Sequence, residues 1–329
     1  MSTKVFIKQY QSPGDILMLT AAIRDLKAHR PDWKINVSTS CPEIWHNNLN
    51  LSPSLKEEDA DYVISSDYKY EINKSNQRKF HFSRAFTDHL GEALGMQIPI
   101  CGHGPDIYWT PEELKWVPDF GHFWIINAGG KHDYTAKWWN PYHYQKVVSH
   151  FEGKIKFIQV GLPNHFHPAI DGAVNMIGQT QLRQLMLLAR NSLGIITPVS
   201  FLMHLSGNMM GRYGGLVPAV VLAGGREQRS WVGYDNHFYL SKVGSYKCCN
   251  YGACWKSKAT ESFCEQEITE GKKLEDTTIC EDRIDLEEKI SSPNGVCDLK
   301  IARCMHETTP EEVIKIIENI HDNRYGWKF

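Results

Sequence analysis

No stretch of this chain is long and apolar enough to cross a bilayer. The longest apolar run, Leu216 to Ala223, is interrupted by Pro218 and is less than half the roughly 20 residues that a spanning helix needs. An excess of one charge is also missing: 36 Lys and Arg face 38 Asp and Glu, for a formal net charge of −2. A chain so balanced is not built as an electrostatic sponge for nucleic acid. The opening residues, Met1 to Tyr10, hold Lys4 within a short apolar run and carry no cleavage-site pattern, so the expectation is a soluble, cytoplasmic protein. Hydrophobic residues make up 42% and charged residues 22%, which excludes a disordered chain, a coiled coil and a collagen-like fibre.

What is there is enough for two cores. At about 150 residues per domain, 329 residues predict roughly two domains. Fifteen His and ten Trp suggest polar pockets with aromatic walls. Nine cysteines are present without a Cys-x-x-Cys pair. Cys41 and Cys101 stand apart. Cys248, Cys249, Cys254, Cys264, Cys280, Cys297 and Cys304 crowd the C-terminal part. A reducing compartment disfavours disulfides, so this cluster asks for a metal or a redox role.

Hydrophobic periodicity predicts a strand over Lys4–Tyr10, a turn at Ser12–Asp15, a helix over Ile16–His29 ended by Arg30-Pro31, and a strand over Trp33–Thr39. A further strand (Ala60–Ser65) and helix (Phe82–Leu94) follow. The Gly- and Pro-rich stretch Cys101–Asp119 reads as an interdomain linker. The rhythm then restarts, with strands at Phe123–Asn127, Lys156–Val160, Ser192–Ile196 and Val217–Ala223, and helices at Pro141–Phe151, Thr180–Ala189 and from Phe201. This is the pattern of two successive doubly wound α/β domains, whose ligands sit beyond the carboxyl ends of the strands. Thr308-Thr309-Pro310-Glu311 caps a last amphipathic helix, expected to pack back on the body. The expected division is 1–115, 116–246, a Cys-rich module at 247–305, and a helix with tail at 306–329.

Four segments, in order and spacing, resemble the glycosyltransferases of family 9, the group that includes the ADP-heptose:lipopolysaccharide heptosyltransferases. They are Gly14-Asp15 with its helix, Thr135-Ala-Lys137-Trp138-Trp139, Thr197-Pro198 through Met203-His204-Leu205, and Gly224-Gly225-Arg226-Glu227 with Trp231 and Tyr234 behind. The cysteine-containing C-terminal segments are similar to a branch of that family. The resemblance implies a GT-B fold, two Rossmann-like domains facing across a cleft, and inverting transfer of a sugar from a nucleotide diphosphate donor, with an ADP-sugar favoured. The acceptor stays open between saccharide, protein and modified DNA. A non-catalytic nucleotide-sugar-binding protein is the other reading, and a homo-oligomer is also left open.

Asp15, at a helix N-terminus, has two readings: a base that takes the acceptor's proton, the role implied by the resemblance, or a helix cap. Gly130 and Lys131 follow a strand, where backbone amides and a cation suit a diphosphate, or simply form a turn. The resemblance makes Lys137 the donor-phosphate lysine, with a mobile surface lysine as the alternative, and Thr135 a second phosphate contact. It also brings Thr197, Ser200 and His204 to the donor diphosphate, where amides and an imidazole would offset leaving-group charge; a buried histidine bonded to backbone is the other reading of His204. In this segment the family's usual Asp-Ser-Gly is replaced by Val199-Ser200-Phe201-Leu202. Arg226 and Glu227 lie past a strand end, in reach of a substrate or joined as a structural ion pair. Trp138 and Trp139 read as wall or core. His165 and His167 read as loop or acceptor-site residues. No catalytic metal is expected. Cys249, Cys254, Cys280 and Cys304 are the expected thiolate ligands of a structural zinc or iron, with Cys248, Cys264 and Cys297 as substitutes; reduced, unligated thiols are the alternative reading.

Overall fold

The computed structural model describes residues 2–66, 80–259, 280, 282–286, 290–292, 295–297 and 300–326. Strand β1 (Lys4–Gln9) lies between β2 (Lys34–Thr39) and β3 (Tyr62–Ser65), and both pairings are parallel. Flanked on both edges and covered by helices, β1 buries Val5, Phe6 and Ile7 in succession instead of alternating. Helix α1 (Pro13–His29) starts three residues before the expected Ile16, because Pro13 fits the first helical position, where no amide hydrogen is needed. Ile16, Leu17, Leu19 and Ile23 of α1 are fully buried. Each contributes about 1.5–3 kcal/mol of apolar burial. Helix α2 (Ser83–Leu94) packs beside α1 and stops at Gly95, whose φ of 65° ends the helix.

The linker is neither loose nor wholly irregular. Arg24 of α1 donates to the Gly104 carbonyl at 2.8 Å and pairs with Asp106 at 3.0 Å, while Asp106 N–H donates to Thr20 Oγ1 at 2.8 Å. Helix α3 (Pro111–Lys115) then presents Glu113 to Arg183, two bonds of 2.7 Å each. Arg183 belongs to the second domain, so this fork ties the linker to both halves.

The second sheet has six parallel strands, formed by β4 (Phe123–Ile126), β5 (Lys156–Gln159), β6 (Ala173–Asn175), β7 (Gly194–Pro198), β8 (Ala219–Gly224) and β9 (His237–Ser241). Their order is β6-β5-β4-β7-β8-β9. The short edge strands β6 and β9 were not among the expected elements. Helices α4 (Pro141–His150) and α5 (Leu182–Arg190) cover the sheet, and α6 (Phe201–Ser206) follows β7 as expected. Helix α1 packs directly on α6, so one apolar core runs from Val5 and Leu17 through Met203 to Trp231 and Tyr234. A second core on the opposite face holds Trp124, Trp138, Trp139 and Tyr144. The wall-or-core reading of the two tryptophans is the one realised.

Beyond short helix α7 (Arg229–Val232), the Cys-rich part contributes β10 (Arg283–Asp285), the hairpin β11 (Ile290–Ser292) and β12 (Gly295–Cys297), and β13 (Lys300–Ala302), which pairs with β10. A single turn, α8 (Arg303–His306), leads to α9 (Pro310–Ile320). Val313, Ile317 and Ile320 of α9 are buried in the second core, and Trp139 Nε1 donates to the Thr308 carbonyl at 2.8 Å, so the last helix does pack back on the body. None of the described helices is long and apolar enough to cross a membrane.

Candidate active site

The N-terminus of α1 meets the carboxyl end of the second sheet. Asp15 sits in the first turn of α1 and its carboxylate accepts the Ser12 N–H at 3.1 Å, so the capping role is present. Ser12 in turn receives Lys131 Nζ of the second domain at 3.1 Å. A side chain at Gly14 would touch α6, with a Cβ 3.5 Å from the His204 ring and 3.7 Å from Phe201 Cα. These are ordinary packing distances, so α1 and α6 lie in direct contact beside Asp15.

Lys137 lies at the end of the loop that follows β4. Its ammonium is 3.1 Å from Glu227 Oε1 and 3.2 Å from the Val199 carbonyl, and it stands 5.4 Å over the Tyr134 ring. Burial lowers its pKa, opposed first by the Glu227 carboxylate, while Arg226 lowers it further; the Asp15 carboxylate also favours the charged form. Asp15 and Lys137 therefore feel one another across the domain seam. Glu227 is 4% exposed and also pairs with Arg226, so the salt-bridge reading of these two residues holds and extends to Lys137. Among the described residues, Glu227 Oε2 is buried without a hydrogen-bond partner.

Beneath them, Thr197 and Ser200 hydroxyls are 2.8 Å apart, and Asn127 Nδ2 reaches Ser200 Oγ at 3.4 Å. Thr197 is fully buried, and Ser200 is the more accessible of the two.

Two expectations need correction. The Gly130 N–H donates to the Phe166 carbonyl at 2.9 Å and the Gly130 carbonyl accepts from Phe166 at 3.1 Å, so this glycine pair closes a bridge and its amide is not turned to a phosphate. A Cβ on Gly129, whose φ is 84°, would collide with that same Phe166 carbonyl. Thr135, expected to touch phosphate, is fully buried, and its Oγ1 accepts the Ala259 N–H at 2.8 Å.

His204 is buried in the middle of α6, with Nδ1 3.0 Å from Tyr234 OH. Burial, reinforced by His81 and His237 nearby, holds its pKa well below the usual histidine value. Burial favours its uncharged form, and of the two readings for it, a diphosphate contact or a buried histidine, burial supports the second, with the Tyr234 hydroxyl and not backbone as its partner. His167 is also internal, lying between the Ala128 and Leu162 carbonyls. Sequence reasoning missed the cleft of about 670 Å³ between α2 and α7, lined by His81, Arg84, His103, Arg229 and Tyr234. Of its lining, Tyr234 alone carries a sequence signal, as part of the family 9 resemblance.

The expected metal ligands are near one another. Cys304 feels the thiols of Cys254, Cys280 and Cys248, and burial pushes its own pKa up to about 12. Cys248, expected only as a substitute, contacts Cys254 and Cys249, and burial raises its pKa to about 11. Cys249 instead gives its S–H to the Lys242 carbonyl at 3.5 Å. Among the described residues, no three His, Cys, Asp or Glu side chains are gathered tightly enough to hold a metal ion. Cys264 lies outside the described residues.

No protein family model matches this sequence, and no curated protein does. Solved structures do. The chain is similar to E. coli ADP-heptose lipopolysaccharide heptosyltransferase II at 13% identity and a TM-score of 0.61, over 97% of this chain and 98% of that one. It is similar to TibC, an iron-containing dodecameric glycosyltransferase of enterotoxigenic E. coli, at 15% identity and 0.63, over 100% and 82%. A family 9 glycosyltransferase of Veillonella parvula matches at 14% and 0.54, over 76% and 90%. Two doubly wound sheets joined along α1 and α6, matched over most of the length of such structures, are the GT-B fold of the family 9 glycosyltransferases, and this chain has that fold.

Proposed function

We propose that this protein is an inverting glycosyltransferase that moves a sugar from a nucleoside diphosphate sugar, of the ADP-heptose class, to a hydroxyl acceptor. The observation that carries this reading is that Lys131, from the loop that also bears Lys137, bonds Ser12 at 3.1 Å, and Ser12 is the residue whose amide the Asp15 carboxylate accepts, so a carboxylate and two cations come from opposite sides of the seam. In the reaction, the Asp15 carboxylate takes the acceptor's hydroxyl proton as that oxygen bonds to the anomeric carbon from the face opposite the diphosphate. The anomeric carbon–oxygen bond to the diphosphate breaks, and the nucleoside diphosphate leaves with the electron pair. Lys137, assisted by Lys131 and Ser200, stabilises the charge gathering on the phosphate oxygens. Glu227 Oε2 supplies an acceptor for a donor hydroxyl. The acceptor enters by the cleft beside Tyr234, whose lining of Arg84, Arg229, Asp235 and two histidines suits a polar molecule.

The chemistry needs no metal. The TibC neighbour's iron motivates one further reading: Cys248, Cys254, Cys280 and Cys304, which are free thiols and not gathered as a metal site in this structure, close around a structural zinc or iron when it is supplied, which would organise the C-terminal segment. Elemental analysis of protein purified without chelator tests this. About one metal per chain, lost in Cys304→Ser, is expected, and metal-free wild type sinks it. An assembly larger than a monomer in light scattering is expected by the same likeness to dodecameric TibC.

The test of the function is turnover of ADP-heptose in the presence of deacylated lipopolysaccharide core, an autotransporter peptide or hydroxymethylated DNA. Release of ADP that disappears in Asp15→Ala supports transfer. Binding of ADP with no turnover on any acceptor, nor slow hydrolysis, would leave the non-catalytic binding reading standing instead.

A further inference from the structure

The loop carrying Lys137 leaves β4 and the loop carrying Arg226 and Glu227 leaves β8, with β7 between them. One extended segment, Cys254–Ala259, reaches both. Cys254 N–H donates to the Gly225 carbonyl at 3.0 Å, and Arg226 Nε donates to the Lys256 carbonyl at 2.9 Å. On the other side, Ala136 N–H donates to the Ser257 carbonyl at 3.0 Å, and Ala259 N–H donates to Thr135 Oγ1 at 2.8 Å. The segment turns at Trp255, still against the β8 loop and before it crosses to the β4 loop at Ser257; its φ of 56° is a left-handed conformation that a bulky side chain adopts at a cost. Trp255 is held there edge-on to Trp231, with ring centres 4.4 Å apart.

The far side of the β8 loop is equally constrained. A Cβ on Gly225 would lie 3.1 Å from Cys249 Sγ, and one on Gly224 would lie 3.1 Å from Cys304 Sγ. The paired glycines that precede Arg226 thus let the loop settle on cysteine sulfur.

We propose that Cys254–Ala259 is a positioning strap for the donor site. It sets the placement of Lys137 against the Arg226–Glu227 pair, and the Thr135 hydroxyl is the side-chain contact through which it acts on Lys137. Thr135 is a positioning residue, since it is fully buried two residues before the lysine and its hydroxyl oxygen takes the Ala259 N–H. The inference rests on the reading that Lys137 binds the donor diphosphate.

The test compares Thr135→Val, which keeps the shape and removes the acceptor, with Thr135→Ser, which keeps the hydroxyl. The probe is ADP, measured by calorimetry at a temperature where circular dichroism finds every variant folded. Thr135→Val is expected to weaken ADP by about tenfold, and Thr135→Ser by no more than about twofold to threefold. In a Lys137→Met background, Thr135→Val should cost nothing further, because a residue acting through Lys137 has nothing left to act on. Equal additive losses in both backgrounds, or a serine variant as weak as the valine one, overturn the strap. Hydrogen exchange gives a readout without ligand: faster exchange confined to 132–137 and 254–259 in Thr135→Val is expected, and unchanged exchange there also overturns it. If wild type binds no ADP while exchange responds as expected, the donor reading has failed and the mechanical link between strap and loop has not.

Discussion

The two sides of the seam prepare their charged groups in different ways. On the N-terminal side, Asp15 is set by its own neighbours in sequence: Ser12, Pro13 and Gly14 define the helix start, and the carboxylate bonds the Ser12 amide three residues back. On the C-terminal side, Lys137 is set by residues far along the chain. Val199 and Glu227 hold its ammonium, and Ser257 and Ala259 hold its loop. A group fixed locally keeps its place when distant contacts are lost. A group fixed by distant contacts depends on the whole second domain and on the cysteine-bearing segment.

The largest break in that contrast is expected at Asp15. Asp15→Asn keeps an acceptor for the Ser12 amide, so thermal stability should stay close to wild type, while turnover falls about 10²–10⁴-fold with loss of the base. Turnover within tenfold of wild type would return Asp15 to a capping role alone. The opposite pattern is expected at Glu227. Glu227→Ala leaves Lys137 and Arg226 facing each other with their shared counter-charge removed, at a cost of about 3–5 kcal/mol in a urea melt. A loss under about 1 kcal/mol would mean that the three charges are not coupled. Lys137→Ala should weaken ADP by about 1.5–3 kcal/mol, the worth of a hydrogen bond to a charged group, without changing the response to Asp15→Asn.

The smallest effect concerns the linker. The Arg183 guanidinium bonds Glu113 and holds its carboxyl below the usual carboxylate range. A depressed carboxylate pKa contributes stability that is fully present above the unfolded value, about 4.3, and is lost as pH falls through the lower folded value. The melting-temperature gap between wild type and Glu113→Gln should therefore be constant near neutrality and close below about pH 4. A gap that persists in acid would assign the contact to packing on Trp109, over which Arg183 lies at 4.5 Å, and not to charge.

Most of the scaffold was legible because its elements are long and periodic. Helix α1, the interior strands β1, β4, β7 and β8, and the capped last helix α9 all fall within a few residues of expectation. The edge strands β6 and β9 and the short β10–β13 were not, since three to five residues carry too little periodicity to separate a strand from a loop. In the site, the pairing of Arg226 with Glu227 was readable from adjacency. That Lys137 joins them was not, because Lys137 and Glu227 stand on loops from different strands.

The amino-acid order by itself determined two doubly wound units, the capped N-terminus that carries Asp15, and the glycines at the tight places, because these follow from local sterics and hydrophobic period. Only the tertiary structure decided what several of those groups do. It turned the Gly130 amide to Phe166 and the Thr135 hydroxyl to Ala259, and it buried His204 against Tyr234. A buried donor or acceptor must find a partner, and which partner is near is set by how distant segments pack.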